Sequence, residues 1–354
     1  SKELLQKYAE LSSIDSLDFS FEKFTHELLV ASCNCLGISP INANNGFVCY
    51  SGSHALERVI ASQVPSESTA IITNPSIDIV NAILIEKGVR VKYISPSSRT
   101  FDINFSDIEK CITENTSAII ISSPENPTGA VIDSHQMDVL IEIALKNDLT
   151  LIVDHCFAMV NPMGTEIPLL PDFDVKTLKW AAIWDIGKTF SLEDEKVGFI
   201  FCSENIRKSI QAKVSILQLT FPKWWVMLFK IILDHSIEKG YFSFFNSLLR
   251  SNRELTQNFF KKNRLEIFLP QAGSFALMDL SKISGMNKGE DFCRDLLSKT
   301  GVGLIPLKSF VHEDFYGVLQ KCENEYVRLS LAREAETLKR AYNMILFYME
   351  KYLP

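Results

Sequence analysis

The sequence lacks several features that would assign it to a functional class at once. Its net charge at pH 7 is −7, so there is no basic surface of the kind that nucleic acid requires. No apolar run reaches the roughly 20 residues of a membrane span, and the polar start at residues 1–8 is unlike a signal peptide. We therefore expect a cytoplasmic protein that has neither nucleic acid nor a membrane as its partner.

Metal-binding patterns are also missing. The eight cysteines are scattered, and they form no CxxC pair and no cluster with histidine. Metal sites of the zinc type need such spacings, so we expect no metal. Reduced and mostly buried thiols are the plain interpretation of these cysteines.

The chain shows no internal repeat and no low-complexity linker, but its strand and helix patterns alternate regularly. Alternation of this kind predicts an α/β fold with a parallel sheet covered by helices on both faces. At 354 residues, two domains are expected. We predict an N-terminal arm and helix with part of a small domain at 1–37, a large domain at 38–262, and a small C-terminal α+β domain at 263–354. Apolar runs predict strands at 70–72, 89–94, 117–121, 150–153, 180–184 and 197–202.

One lysine follows directly on a predicted strand. The apolar run 180–184 ends in Asp185, Ile186 and Gly187, and Lys188 comes next. Open α/β sheets keep their ligands at the carboxyl ends of their strands. A lysine there is partly desolvated, which lowers its pKa and frees the amine to attack a carbonyl. A lone lysine is more often a solvated loop residue, and the neighbouring features decide between these alternatives.

Four further features fall near the ends of predicted strands. The turn after strand 117–121 contains Asn126, whose side-chain amide can donate a hydrogen bond. Asp154 ends the next strand, where an acid without a partner would be costly. Lys196 can contact a phosphate as a point charge. Arg328 lies inside an apolar strand, where a guanidinium needs an anion such as a substrate carboxylate.

A small-residue turn opens the first helix after a strand. Ser51, Gly52 and Ser53 offer amides and hydroxyls at a helix start, which is an arrangement suited to phosphate. An ordinary helix cap that binds nothing explains this turn equally well.

Taken in order, these motifs resemble those of the class I/II aminotransferases, which are fold-type I pyridoxal-phosphate enzymes. The resemblance covers essentially the whole chain. It implies an aspartate aminotransferase-like fold with a large, mainly parallel sheet of the seven-stranded type, and a homodimer with sites at its interface. It implies that Lys188 forms a Schiff base with pyridoxal 5′-phosphate and that Asp154 pairs with the pyridine nitrogen. It also implies that Asn126 contacts the ring oxygen, that residues 51–53 and Lys196 hold the phosphate, and that Arg328 binds the substrate carboxylate.

The chain departs from the usual family pattern at several of these positions. Phe157 replaces a tyrosine three residues after Asp154, and Asp185 replaces a serine three residues before Lys188. Lys196 stands where arginine is usual. The role of Asp185 stays open between a helix cap on the phosphate side and a partner that tunes Lys188. These departures are similar to a subgroup of arginine oxidases, hydroxylases and cyclases, although residues 12–20 lack the Gly-His pair of its oxidases.

The resemblance gives two expectations for the reaction. The first is chemistry at Cα of arginine or hydroxyarginine, through a quinonoid to cyclisation, elimination or oxidation. The alternative is ordinary transamination with a 2-keto acid, and a scaffold protein without turnover is a third possibility. A guanidinium substrate would favour carboxylates at the site mouth, for which Glu10, Asp15 and Asp18 are candidates unless they are simply solvated. His54, His155, Trp224 and Trp225 are interpreted as packing residues or as weaker site candidates.

Overall fold

The structure is a computed structural model, and it describes residues 2–12, 20–96, 98–173, 175–192, 194–217, 220–283, 289–313 and 322–353. Its strands are β1 Gly46–Cys49, β2 Thr69–Thr73, β3 Arg90–Ile94, β4 Thr116–Ser122, β5 Thr150–Asp154, β6 Lys179–Asp185, β7 Gly198–Cys202, β8 Glu266–Phe268, β9 Phe275–Asp279, β10 Ile305–Pro306 and β11 Tyr326–Ser330.

Helices flank these strands along the whole chain. They are α1 Lys2–Ser12, α2 Phe21–Leu36, α3 Gly52–Gln63, α4 Asp78–Glu86, α5 Ile108–Cys111, α6 Ser134–Lys146, α7 Gly187–Phe190, α8 Glu204–Leu217, α9 Lys223–Glu238, α10 Tyr241–Lys262, α11 Gly289–Thr300, α12 Cys322–Glu325 and α13 Ala335–Tyr352. The predicted helix at 134–146 is confirmed. It begins with a capping box, in which Asp133 accepts from the Gln136 amide at 2.8 Å and Gln136 accepts from the Asp133 amide at 3.0 Å.

Seven strands form one sheet in the order β1-β7-β6-β5-β4-β2-β3. The ladder from β3 to β6 is parallel, whereas β7 runs antiparallel to both β6 and β1. The mainly parallel seven-stranded sheet that we expected is therefore confirmed. The reversal at β7 follows from its connection, because the described residues between β6 and β7 contain only the four-residue helix α7, which is too short for a crossover helix.

Both faces of this sheet are buried by helices. In β4, Ile119 and Ile121 pack in one core cluster, and Ala118 and Ile120 pack in the other. Strand residues alternate between faces, so a strand that is covered on both sides is apolar throughout. This explains why the parallel strands read as continuous apolar runs.

A second sheet lies in the C-terminal part of the chain. It has the antiparallel order β10-β11-β9-β8, and it packs with α10, α11 and α13 around its own core cluster. The three-residue strand β8 was not predicted, because it is too short to show a period.

The N-terminal helices pack against the large sheet. Residues Phe24, Leu28 and Leu29 of α2 belong to the core cluster that covers β4–β7, and both α1 and α2 contact α9. Within the described residues, α2 therefore packs with the large domain rather than with the second sheet. The domain boundaries at 37 and 262 stay a prediction.

Candidate active site

Polar side chains from separate strands meet at one edge of the large sheet. Parallel pairing places Ser122 beside Asp154, and Asp154 beside Ile183, two residues before the end of β6. The loops after β4, β5 and β6 therefore begin close together. These loops carry Asn126, Phe157 and Lys188, which is the grouping that the sequence predicted.

A cavity of about 370 Å³ opens between this edge and the second sheet. Asn126, Phe157 and Lys188 line it from the large-sheet side, and Phe275, Arg328 and Arg333 line it from the other. Lys188 lies in the one-turn helix α7 and is partly buried. The cavity thus brings together the predicted lysine, amide and arginine across more than 200 residues of chain.

Arg328 is held in place from three directions. Its Nη1 donates to Oδ1 of Asn126 at 2.7 Å. Its guanidinium carbon lies 4.9 Å from the ring centroid of Phe310 and 5.6 Å from that of Phe275. Aromatic faces stabilise a cation and restrict its rotamers. Because Asn126 uses its oxygen for Arg328, its NH₂ group remains a donor toward the cavity.

The turn that carries Asn126 depends on one glycine. Gly129 has φ +63°, and a Cβ there would collide with Pro270. The Gly129 amide donates to the Glu125 carbonyl at 2.6 Å, which closes the turn. Only glycine satisfies both the left-handed backbone and the close approach.

Asp154 is the last residue of β5 and pairs with Ile183 of β6, the strand that leads to Lys188. Its Oδ1 accepts from the Cys156 amide at 2.8 Å. Burial raises the pKa of Asp154, and the Cys156 contact partly opposes that rise. Phe157 is 8% exposed and packs edge-to-face on Phe275, with ring centroids 5.2 Å apart.

The predicted phosphate cradle lies at the start of α3. Ser51 caps this helix by accepting from the His54 amide at 3.1 Å. The Gly52 amide donates to Asp185 at 2.6 Å, and a Cβ on Gly198 would collide with the Ser51 backbone. Lys196 reaches the same region, because its Cγ and Cε would lie 3.4 Å from a Cβ on Gly187. Ser53, in the first turn of α3, is exposed.

The cradle residues do not line the Lys188 cavity. Lys196 instead borders a separate cleft of about 390 Å³ with Tyr50, Trp224 and Trp225. Asp194 borders both spaces, so the two are neighbours. Trp225 is 8% exposed and stacks on Phe221 at 4.5 Å, as a packing residue would, and it also borders this cleft. Trp224 is 53% exposed, so the interpretation as a core residue is wrong for it.

Both histidines that the sequence singled out have structural contacts. His155 is 2% exposed, and its Nε2 accepts from the Leu170 amide at 3.2 Å. The proton must then sit on Nδ1, which donates to the Ser123 carbonyl at 3.0 Å. Burial lowers the pKa of His155 to about 4, so the ring is neutral at pH 7. His54 Nδ1 accepts from the Tyr50 amide at 3.4 Å.

Three residues near the site were missed in the sequence. Glu125, next to Asn126, is 4% exposed, and its Oε2 lies 2.5 Å from the Thr73 hydroxyl. Asp194 and Arg333 line the Lys188 cavity. The available signals were the position of Glu125 directly before the Asn-Pro-Thr-Gly turn and that of Arg333 five residues after Arg328. Neither position reveals burial or a shared cavity.

The proposed carboxylates on the N-terminal arm are not supported by this cavity. Glu10 is exposed on α1 and accepts from Gln6 at 3.3 Å, and it is not among the described residues that line the cavity. Asp15 and Asp18 lie outside the described residues. In the part of the chain that the structure covers, no group of histidine, cysteine or acidic residues could hold a metal. No described helix is long and apolar enough to cross a membrane.

The donors of the site complement one organic cofactor. A lysine amine suits an aldehyde, a carboxylate suits a protonated ring nitrogen, and helix-start amides with a lysine suit a phosphate. Together with the two-sheet fold, this set defines a fold-type I enzyme that depends on pyridoxal phosphate.

Comparison with known proteins identifies the family. The chain belongs to the aminotransferase class I and II family, whose profile matches residues 37–345. It is 24% identical over 329 residues to the kynurenine–oxoglutarate transaminase of Dictyostelium discoideum, covering 83% of this chain and 74% of that protein. It is 23% identical over 340 residues to the methionine aminotransferase of Escherichia coli, covering 95% and 82%.

Solved structures confirm the fold. A methionine aminotransferase from Escherichia coli superposes with a TM-score of 0.85 at 20% identity, covering 98% of this chain and 89% of that one. The aspartate aminotransferase of Thermotoga maritima gives 0.81 at 18% identity, covering 99% and 89%. None of these four proteins is described as acting on arginine, so the expected arginine subgroup receives no support from them. The expected homodimer and cytoplasmic location stay predictions.

Proposed function

We propose that the protein transfers an amino group between an α-amino acid and a 2-oxo acid. The observation that supports this most directly is the single cavity that joins Lys188, Asn126 and Arg328, with the last two hydrogen-bonded at 2.7 Å. A lysine at a sheet edge and a guanidinium fixed opposite it provide an amine for chemistry at Cα and a carboxylate-binding group. The relatives named above are aminotransferases, which favours transamination over the arginine reactions.

The predicted site residues other than Glu10 have roles in this proposal. When bound, pyridoxal phosphate supplies an electron sink that weakens the bonds at the substrate Cα. Lys188 binds the cofactor and then moves the proton at Cα as a general base. Asp154 would pair with the ring nitrogen and keep it protonated, and Asn126 would offer its NH₂ group to the ring oxygen. Residues 51–53 and Lys196 hold the phosphate.

Arg328 orients the substrate by its α-carboxylate. The planar guanidinium can donate two parallel hydrogen bonds to a carboxylate, and the Asn126 contact fixes its plane. Phe157 and Phe275 form an apolar wall beside it. Apolar rings beside the guanidinium lower the local polarity and so strengthen its ionic contact with a carboxylate.

Substitution of the lysine tests the proposal. In Lys188→Ala we expect amino transfer to fall by at least about 10³-fold, because both the covalent anchor and the general base are lost. The visible absorbance of the cofactor-loaded protein should be lost as well. Lys179→Ala, a change at a partly exposed lysine that pairs with Asp148 at the start of the same strand, serves as the matched control. Retention of amino transfer in Lys188→Ala, or loss of it in the control, would contradict the assignment.

Arginine chemistry remains the second candidate, because one observation favours it. Asp194 lines the Lys188 cavity, and a carboxylate there could contact a guanidinium. Phe157 and Asp185, which stand where the family usually has tyrosine and serine, also resemble the arginine subgroup. Incubation of cofactor-loaded protein with arginine or glutamate, each with and without a 2-oxo acid, separates the two. If arginine-derived products form without an oxo acid, the proposed transamination is wrong and arginine chemistry is the function.

A further inference from the structure

Asp185 is a buried acid beside the helix start proposed for the phosphate, where a second negative charge is unexpected. It ends β6, is 6% exposed, and its carboxylate accepts two short hydrogen bonds. Oδ2 accepts from the Gly52 amide at 2.6 Å, and Oδ1 accepts from the Gly187 amide at 2.6 Å. A single carboxylate thus joins the helix start proposed for the phosphate to the loop that carries Lys188.

The two glycines are packed closely against this carboxylate. A Cβ on Gly52 would lie 3.0 Å from Asp185 Cβ and 2.9 Å from Cys156 Sγ, and a Cβ on Gly187 would lie 2.8 Å from Asp185 Oδ1. Neither position has room for a side chain while Asp185 keeps its place. The contact is therefore a built anion site and not a chance rotamer on a surface.

The Gly52 amide is also a donor that the phosphate would need. It is the first amide of α3, at the positive end of a 12-residue helix. An amide N–H makes one strong hydrogen bond, so a phosphate oxygen and Asp185 Oδ2 cannot both accept it. Two buried anions at this spacing also repel each other.

We infer that Asp185 is a resident anion of the phosphate cradle, and that the cofactor phosphate must displace its carboxylate from the Gly52 amide in order to bind. The inference rests on the cofactor site of the proposed function and is independent of the amino-acid substrate. Asp185 is then a residue that sets cofactor affinity. The serine that is usual in the family would carry no charge and would leave the amide free.

Two ligands that differ only in the phosphate isolate this effect. The dissociation constants of pyridoxal phosphate and of pyridoxal are measured on cofactor-free wild type, Asp185→Ser and the control Asp133→Ser. Asp133 caps α6 far along the sequence, and serine can replace it as a cap, so the control repeats the charge change elsewhere. In Asp185→Ser the preference for pyridoxal phosphate over pyridoxal should rise by at least about tenfold. The affinity for pyridoxal itself should stay within about twofold of wild type.

Opposite outcomes overturn the inference. An unchanged or reduced preference in Asp185→Ser would show that the carboxylate supports the cradle and does not compete for it. If Asp185→Ser does not fold, Asp185→Asn replaces it, because it keeps the size and removes the charge. A crystal structure of cofactor-loaded wild type gives the second readout. We expect Asp185 Oδ2 beyond hydrogen-bond distance from the Gly52 amide, and retention of that bond beside a bound phosphate would overturn the inference.

The same measurements separate this inference from the proposed function. Failure of amino transfer with a raised phosphate preference in Asp185→Ser would overturn transamination and leave the resident anion standing. Normal amino transfer by wild type, together with an unchanged phosphate preference in Asp185→Ser, would overturn the resident anion and leave transamination standing.

Discussion

Three carboxyl groups lie at or just after the ends of β4, β5 and β6, and they differ in their hydrogen-bond donors and in their tendency to ionise. Asp185 accepts from two glycine amides and Asp154 from the Cys156 amide. Glu125 contacts the Thr73 hydroxyl at 2.5 Å and the Asn126 amide at 3.0 Å. Burial raises the pKa of Glu125 to about 8, and the charge of Asp154 adds to the rise. Glu125 is therefore protonated at pH 7.

The protonation of Glu125 predicts a stability that falls as pH rises. In the unfolded chain this carboxyl ionises near 4.5, whereas in the folded protein it keeps its proton up to about pH 8. The unfolded state thus binds fewer protons between these values, and stability decreases across the window. Glu125→Gln mimics the protonated acid and should remove this loss. The difference in free energy of unfolding between Glu125→Gln and wild type should change by about 4 kcal/mol in favour of the variant as the pH rises from 5 to 8.

Denaturant unfolding at pH 5, 6, 7 and 8 checks this expectation. Glu142→Gln, an exposed change on α6, is the matched control and should follow wild type at every pH. A constant difference between Glu125→Gln and wild type would show that Glu125 is ionised in the folded protein.

Residues of the site differ in how far the sequence revealed them. Lys188, Asp154 and Asn126 could be predicted because each follows an apolar strand, and the ends of parallel strands meet at one edge. The contact of Asp185 with Gly52 could not be predicted. Its partner Gly52 is 133 positions away, and the bond depends on the antiparallel placement of β7 and on the packing of α3.

At the level of elements, the predicted strands agree with the structure to within two residues. For β2, β4, β5 and β6 the reason is that strands buried on both faces have no polar interruption, whereas the edge strand β3 is only partly buried. The reversal of β7 could not be predicted from the sequence, since strand direction depends on the connection and not on the strand itself.

Side-chain contacts join these elements to one another. His155 joins the end of β5 to the loop after β4 through Ser123, and to the 3₁₀ turn Leu170–Asp172 through the Leu170 amide.

The contacts of His155 predict a second pH dependence, of opposite sign to that of Glu125. In the unfolded chain histidine binds a proton below about pH 6.5, whereas the buried ring resists protonation down to about pH 4. The unfolded state binds more protons in this window, so stability is fully present above pH 6.5 and is lost as pH falls toward 4. His155→Ala should flatten this slope. It should also cost about 2–4 kcal/mol at pH 7, because two buried backbone groups lose their partner.

Melting temperatures at pH 5 and pH 7 check this prediction. The melting temperature of wild type should exceed that of His155→Ala by more at pH 7 than at pH 5, because the Glu125 contribution is the same in both proteins. His135→Ala is the matched control, since His135 is exposed on α6. An equal pH difference in wild type and His155→Ala would contradict the neutral, doubly bonded ring.

At the level of the whole molecule, the site exists only because two sheets face each other. The large sheet contributes Lys188 and Asn126, and the second sheet contributes Arg328 from β11. The sequence predicted both sheets and these residues. It could not predict the charge balance of the cavity, because that depends on which loops face the space between the sheets.

The charge balance of this cavity indicates a class of substrate. Among its described lining residues, Arg328 and Arg333 are guanidinium cations, Asp194 is the one acid, and Lys188 is the amine that the proposed function assigns to the cofactor. Arg333 is exposed and donates to the Ala332 carbonyl at 3.2 Å, and no described carboxylate lies within ion-pair distance of it. With the α-carboxylate on Arg328, a second carboxylate on the substrate side chain can pair with Arg333. We therefore expect a preference for dicarboxylic amino acids.

Substitution of Arg333 tests this preference. In Arg333→Gln the KM for glutamate should rise by about tenfold, which is the effect of one partly solvated charged hydrogen bond. The KM for methionine should change by less than about twofold, because methionine has no second carboxylate to lose. Arg340→Gln is the matched control, since Arg340 is also exposed but borders a different cavity. Equal effects on both substrates, or a wild type that binds methionine as tightly as glutamate, would show that Arg333 plays no part in selecting the side chain.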